Sequence, residues 1–124
     1  MLAALKAAAQ LAANGRRVAA LGRMGELGKE SEAAHRKVGK AVADFEFDYL
    51  VTVGDEARLI ADAARSGGLK SVDRADTHEQ AVEALLNYLE PGDLLLVKGS
   101  LSSAMDRVVQ GLRAVFDRAK WRSS

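Results

Sequence analysis

Residues Tyr49–Asp55 read YLVTVGD. A run rich in β-branched and aromatic side chains, closed by Gly54, reads as a strand, and Asp55 stands where a helix N-cap belongs. Upstream, Ser31 caps a helix to about Phe45, in which Ala34, Val38, Ala41, Val42 and Phe45 share one face. Before it, Arg17–Leu21 (RVAAL) ends at Gly22 in the manner of a buried strand. Met1–Ala13 (MLAALKAAAQLAA) is built of helix formers and stopped by Asn14-Gly15. Downstream, a helix runs from Glu56 to about Arg65, Ser66-Gly67-Gly68 breaks it, and Leu69–Val72 is a weak third strand. Thr77 opens a helix carrying Ala81, Leu85, Leu86 and Leu89. Pro91-Gly92-Asp93 then turns the chain into Leu94–Val97 (LLLV), the most apolar strand. Ser100 or Ser102 caps a last helix with Met105, Val108, Val109, Leu112 and Phe116 on its apolar face.

The order αβαβαβαβα predicts an α/β fold. Strands joined by helices run parallel, with right-handed crossovers and helices on both faces. The expectation is a three-layer, Rossmann-like, doubly wound domain over 1–119, with a tail at 120–124. Its sheet is mostly parallel, with about four strands and five helices. Such domains ordinarily open with a strand, so a helix at the start reads as a missing first strand.

The chain has 124 residues, 18 Lys and Arg, 17 Asp and Glu, and no Cys. A net charge of +1 gives no support to a nucleic-acid or membrane-surface binder. The absence of Cys excludes disulfide scaffolds, Cys-based zinc sites and thiol catalysis. No apolar run is long enough to span a membrane. The one Lys of Met1–Ala13 lies inside the apolar stretch, unlike the leading charges of a signal peptide, so the expected compartment is the cytoplasm.

Ligands of doubly wound folds bind beyond the carboxyl ends of the strands. The loops there are Gly22–Glu30, Gly54-Asp55, Asp73–Thr77 and Lys98–Ser103. Gly22, Gly25 and Gly28 are spaced G-x-x-G-x-x-G, not as the dinucleotide fingerprint G-x-G-x-x-G, and no acid ends the second strand to hold a ribose. The chain also contains no G-x-x-x-x-G-K-[ST] phosphate loop and no Gly-x-Ser-x-Gly elbow. Lys98, Gly99 and the serines that follow can hold a phosphate or carboxylate at a helix start, although N-capping is the commoner use of such serines. His35 with Glu26 or Glu30 is a candidate acid–base or orienting pair, set against the commoner role of a buried structural histidine. His35 and His78 are far apart and carry no spaced carboxylates, so no metal site is expected.

Specific words along the chain carry a resemblance. Leu21-Gly22-Arg23-Met24-Gly25-Glu26-Leu27-Gly28 is followed by Glu30-Ser31-Glu32 and His35-Arg36-Lys37-Val38-Gly39. Val51-Thr52-Val53-Gly54 and Pro91-Gly92-Asp93 leading to Leu96-Val97-Lys98-Gly99-Ser100 complete the series. Together they resemble the C-terminal domain of the Mur ligases, of the kind that adds the D-Ala-D-Ala dipeptide to the peptidoglycan precursor. The resemblance implies a substrate-binding domain of an ATP-dependent ligase that is not catalytic alone. ATP and magnesium belong to the full-length family enzyme, in its central domain, and no cofactor is expected on this chain by itself. Carried over residue by residue, it implies substrate contacts at Met24, Glu26, His35, Lys98, Gly99 and Ser100.

The family pattern has an acid where Arg23 stands and an Arg where Leu101 stands. Gly25, Phe45 and Phe47 also depart from it. Arg23, Gly25, Leu101 and Met105 therefore mark an altered cleft rim, with Met24, Leu101 and Met105 as an apolar patch. That concentration motivates an alternative, an engineered protein-binding scaffold with a designed partner. The primary expectation for partners is the remaining ligase domains. An open sheet edge also allows a homodimer.

Overall fold

The computed structural model describes residues 1–11, 14–25 and 28–123, with the side chains of 117–123 outside the description. Four strands form one parallel sheet: β1 (Arg17–Gly22), β2 (Tyr49–Val53), β3 (Val72–Ala75) and β4 (Leu94–Lys98). Their spatial order is β3-β2-β1-β4. Val18 pairs with Tyr49, Arg17 with Leu94, and Leu50 with Val72. Central β1 is apolar without alternation because both of its faces are covered, and Val18, Ala19, Ala20 and Leu21 are fully buried.

The five helices are α1 (Leu2–Gln10), α2 (Ser31–Asp44), α3 (Arg58–Ser66), α4 (His78–Tyr88) and α5 (Asp106–Ser123). Helices α1, α2 and α3 bury Leu5, Val38, Val42, Ile60 and Ala64 against Ala19, Leu21 and Leu50. On the other face, α4 and α5 bury Ala81, Leu85, Val108 and Leu112 against Val18, Ala20, Val51 and Val53. This is the doubly wound, three-layer arrangement the pattern implied. Among the described residues no helix is long and apolar enough to cross a membrane.

Several boundaries differ from expectation. The third strand starts at Val72, not Leu69. Leu69 instead closes α3: its N–H donates to the Ala64 carbonyl, Gly68 adopts φ +106°, and the side chain packs on the first core. That is a hydrophobic helix stop, and its apolar residue mimics the start of a strand. Asp55 does not cap α3, whose N-cap is Ala57. Ser31 is the first residue of α2 and not its cap, which frees its hydroxyl for other partners. Thr77 does cap α4, accepting from the Gln80 N–H at 3.1 Å. The segment 120–124, expected as a tail, is helical as far as Ser123. Of the Met1–Ala13 helix, residues 12 and 13 lie outside the described residues.

The amino-terminal pole of the sheet is pinned by polar and aromatic contacts. The Arg16 N–H donates to Asp93 Oδ1 at 2.8 Å, and its guanidinium reaches Asp93 Oδ2 at 3.2 Å. That guanidinium lies 3.9 Å from the centre of the Tyr88 ring, and Tyr88 stacks on Tyr49 at 4.3 Å. The Tyr49 hydroxyl donates to Asp73 Oδ2 at 2.5 Å. Burial first, and the Asp73 carboxylate second, push the Tyr49 phenol well above its ordinary value.

Candidate functional site

Because β1 lies between β2 and β4, the loop after β1 leaves toward α2 on one face and the loop after β4 leaves toward α5 on the other. The crevice between them is the switch point where doubly wound folds take ligands. The two loops are tied by the Ser100 N–H donating to the Arg23 carbonyl at 2.8 Å. Beneath the tie, Gly22 at the end of β1 and Gly99 just past the end of β4 approach each other closely. A Cβ on Gly22 would lie 2.7 Å from Met105 Cγ, and one on Gly99 would lie 2.8 Å from the same atom. The crevice floor is therefore closed by Met105, which is 4% exposed. Its place follows from Ala104, held in the left-handed region at φ 50°, ψ 42° between a 3₁₀ turn (Leu101–Ser103) and α5. A left-handed non-glycine residue is a strained position, and here it turns the chain so that Met105 points inward.

Met105 was expected on an exposed apolar rim; the structure corrects this, since the residue belongs to the second core. Met24 is half-buried against the first core, and only Leu101 stands free, at 99% exposure. The three methionine and leucine side chains do not form one patch. Gly25 is exposed, and a Cβ there would meet only Ser100, at 3.8 Å.

Arg23 joins three loops. Its Nη1 donates to Ser102 Oγ at 3.2 Å, and its Nε lies 3.3 Å from Glu56 Oε1. That Nε forms no aligned hydrogen bond, so the contact with Glu56 is a charge pair. The Ser31 hydroxyl donates to the other Glu56 oxygen at 3.2 Å. A chain of polar contacts thus crosses the crevice from Ser102 through Arg23 and Glu56 to Ser31. Glu56 and Ser31 were not singled out as site residues. Glu56 lies one position past the Gly54-Asp55 loop, the only local hint of its placement.

His35 is fully buried. Its Nε2 accepts from the Met24 N–H at 3.0 Å, which leaves the proton on Nδ1, 2.6 Å from the Ser31 carbonyl. Both ring nitrogens are thereby engaged in shaping the loop after β1. Glu26, its expected companion, lies outside the described residues.

Lys98 ends β4 with its side chain exposed, and its ammonium is in no ion pair among the described residues. With Gly99, Ser100, Leu101, Met105 and Asp106 it borders a cavity of about 420 Å³. The Ser100 and Ser102 hydroxyls are 2.9 Å apart, and Ser103 Oγ donates to the Ser100 carbonyl at 2.6 Å. A cation beside hydroxyls and backbone at the end of a parallel strand suits an anionic group. A second cavity of about 410 Å³ lies beside Tyr49, Asp73, Glu83 and Tyr88, away from the carboxyl ends of β1 and β4. Its tyrosines are already engaged with each other and with Asp73, so the cavity beside Lys98, bordering the crevice at Gly99 and Ser100, is the better candidate.

Among the described residues no group of three or more His, Asp or Glu converges on a metal position, and the sequence lacks a phosphate loop.

The family model described as "Mur ligase, glutamate ligase domain" matches residues 1–101. The chain is 36% identical over 119 residues to UDP-N-acetylmuramoyl-tripeptide–D-alanyl-D-alanine ligase of Escherichia coli K12, covering 91% of this chain and 24% of that protein. It is 36% identical over 99 residues to the ligase of the same name from Synechocystis, covering 80% and 22%. The chain thus spans about a quarter of the length of these curated relatives. The MurF ligase from Thermotoga maritima in complex with ADP superposes with a TM-score of 0.76 at 22% identity, over 93% of this chain and 25% of that one. MurF from Acinetobacter baumannii gives 0.72 at 29% identity, over 89% and 24%. Motif-bearing loops, sheet order and these matches agree, and the chain belongs to the Mur ligase family as its glutamate ligase, or C-terminal, domain.

Proposed function

We propose that this domain is the substrate-positioning part of a cytoplasmic ligase that joins D-Ala-D-Ala to a UDP-N-acetylmuramoyl-tripeptide. The observation that carries the reading is Lys98, a cation in no ion pair among the described residues, at the end of β4 beside Gly99 and Ser100 on the cavity between β4 and α5. Lys98 would hold a carboxylate or phosphate oxygen of the substrates, with Ser100 as a neutral partner. The charge pair of Arg23 with Glu56, and the buried His35, would keep the flanking loops in place. In this reading the domain catalyses nothing alone. ATP and magnesium, which supply phosphoryl activation of a carboxylate, are held by the remaining ligase domains, and Leu101 is offered to those domains as an exposed apolar contact.

The test is a chimera in which this chain replaces the matching domain of the Escherichia coli relative. ADP release that depends on both peptide substrates supports the reading. Lys98→Ala in the chimera should lower kcat/KM by roughly 100-fold, as expected for a lost charge-assisted contact. A folded chimera whose turnover is indifferent to Lys98 would sink the assignment. So would ATP-dependent ligation by the chain alone.

A further inference from the structure

The segment that carries Lys98 is held from outside its own loop. The 3₁₀ turn Leu101–Ser103 closes on itself, with the Ser103 N–H and Oγ both donating to the Ser100 carbonyl, at 3.0 and 2.6 Å. The Ser103 carbonyl in turn accepts from His78 Nε2 at 2.7 Å, across 25 positions of the chain. A carbonyl only accepts, so Nε2 carries the proton, and the neutral ring leaves Nδ1 without one. His78 is the first residue of α4, and that end of the helix is fixed. Thr77 Oγ1 accepts from the Gln80 N–H at 3.1 Å, and Gln80 Oε1 accepts from the Asp76 N–H at 2.8 Å. Only Asp76 and Thr77 separate α4 from β3, so the ring is anchored to the sheet through a short connection.

Ser103 has little slack. A Cβ on Gly22 would lie 2.9 Å from Ser103 Cβ, and one on Gly99 would collide with Ser103 Oγ. The turn thus packs directly on the backbone beside Lys98, and a shift of Ser103 displaces Gly99 and the cation with it. We infer that His78 is a positioning residue, which through the Ser103 carbonyl sets where Lys98 and Ser100 stand before an anionic substrate group. That role rests on Lys98 as the substrate contact proposed above. The ring lies half-buried beside a cavity of about 210 Å³, lined also by Glu79, Val82, Arg107 and Gly111, so shortening it seals no void into a core. A binding group misplaced by about 1 Å can lose roughly 100-fold in rate, whereas one neutral hydrogen bond is a small part of a fold's stability.

Turnover of the chimera described above tests this, with thermal unfolding of the same variants as the control. His78→Ala should lower kcat/KM by roughly tenfold while the thermal midpoint moves by only a few degrees. His78→Gln keeps an N–H donor at the reach of Nε2 and should bring turnover back to within about threefold of the parent. His78→Asn, whose amide falls short of the carbonyl, should behave as alanine does, and it takes alanine's place if that variant does not fold. In a Lys98→Ala background, His78→Ala should cost less than about twofold more, because the cation it positions is gone. Full turnover in His78→Ala, beside a loss in Lys98→Ala, overturns the positioning role and leaves Lys98 as a substrate contact intact. Equal losses with alanine and glutamine overturn it too, as do losses at His78 and Lys98 that simply multiply. A chimera indifferent to Lys98 sinks the substrate reading, and the role of His78 through that residue falls with it.

Discussion

His35 shows how much one buried ring decides. Its Nε2 accepts the Met24 amide and its Nδ1 meets the Ser31 carbonyl, so the loop after β1 and the start of α2 share one anchor. Replacing it by alanine leaves the Met24 N–H without an acceptor and opens a void in the packing. His35→Ala should cost about 2–4 kcal/mol. The thermal midpoint of the isolated domain should fall by roughly 10 °C, as calorimetry would show. An unchanged midpoint would mean that the ring is not a structural anchor. The sequence placed His35 at the edge of a helical face but gave no sign of Met24 as its partner, because that contact forms only when the loop folds back over the helix.

Between elements, the tightest fit is α2 against α3. A Cβ on Gly39 would strike the Ile60 carbonyl and lie 2.8 Å from Ala63 Cβ. Backbone fills the space a side chain would need, so Gly39→Ala should force the helices apart. The expected loss is about 1–3 kcal/mol, read as a lower urea midpoint with an unchanged slope. In an exposed helix the same change would be stabilising.

The elements also show what the chain's pattern reveals. β1, β2 and β4 were readable because central or apolar strands appear as unbroken runs. β3 slipped because Leu69 is an apolar helix stop. At the site, Lys98, Gly99 and Ser100 were readable from their place after LLLV. The Arg23–Glu56–Ser31 contacts were not, since they depend on β1 lying between β2 and β4, an order that no local period encodes. Met105 was misjudged because its orientation is set by the left-handed Ala104, a conformation that alanine does not announce.

The whole molecule is polarised. One pole is fastened by Arg16, Asp93, Tyr88, Tyr49 and Asp73, and the other is loops and crevice. At the fastened pole, the N–H groups of Arg16 and Glu90 hold the Asp93 carboxyl below its usual 3.8, with the Arg16 guanidinium adding to them. A depressed carboxyl stabilises the fold above its unfolded value, and that stability is lost as pH falls through the folded one. Urea midpoints should therefore decline below about pH 4, and Asp93→Asn should flatten that decline while lowering stability at neutral pH. An identical acid limb in the variant would show that other carboxyls govern it.

One strand serves both ends of this polarity. Among the described strands β4 pairs with β1, and it is also the stem of Lys98-Gly99-Ser100. An anion held at that stem is then thermodynamically linked to the pairing of the strand, and the linkage is reciprocal: whatever factor the ordered strand lends to anion affinity, a bound anion lends to the strand's order.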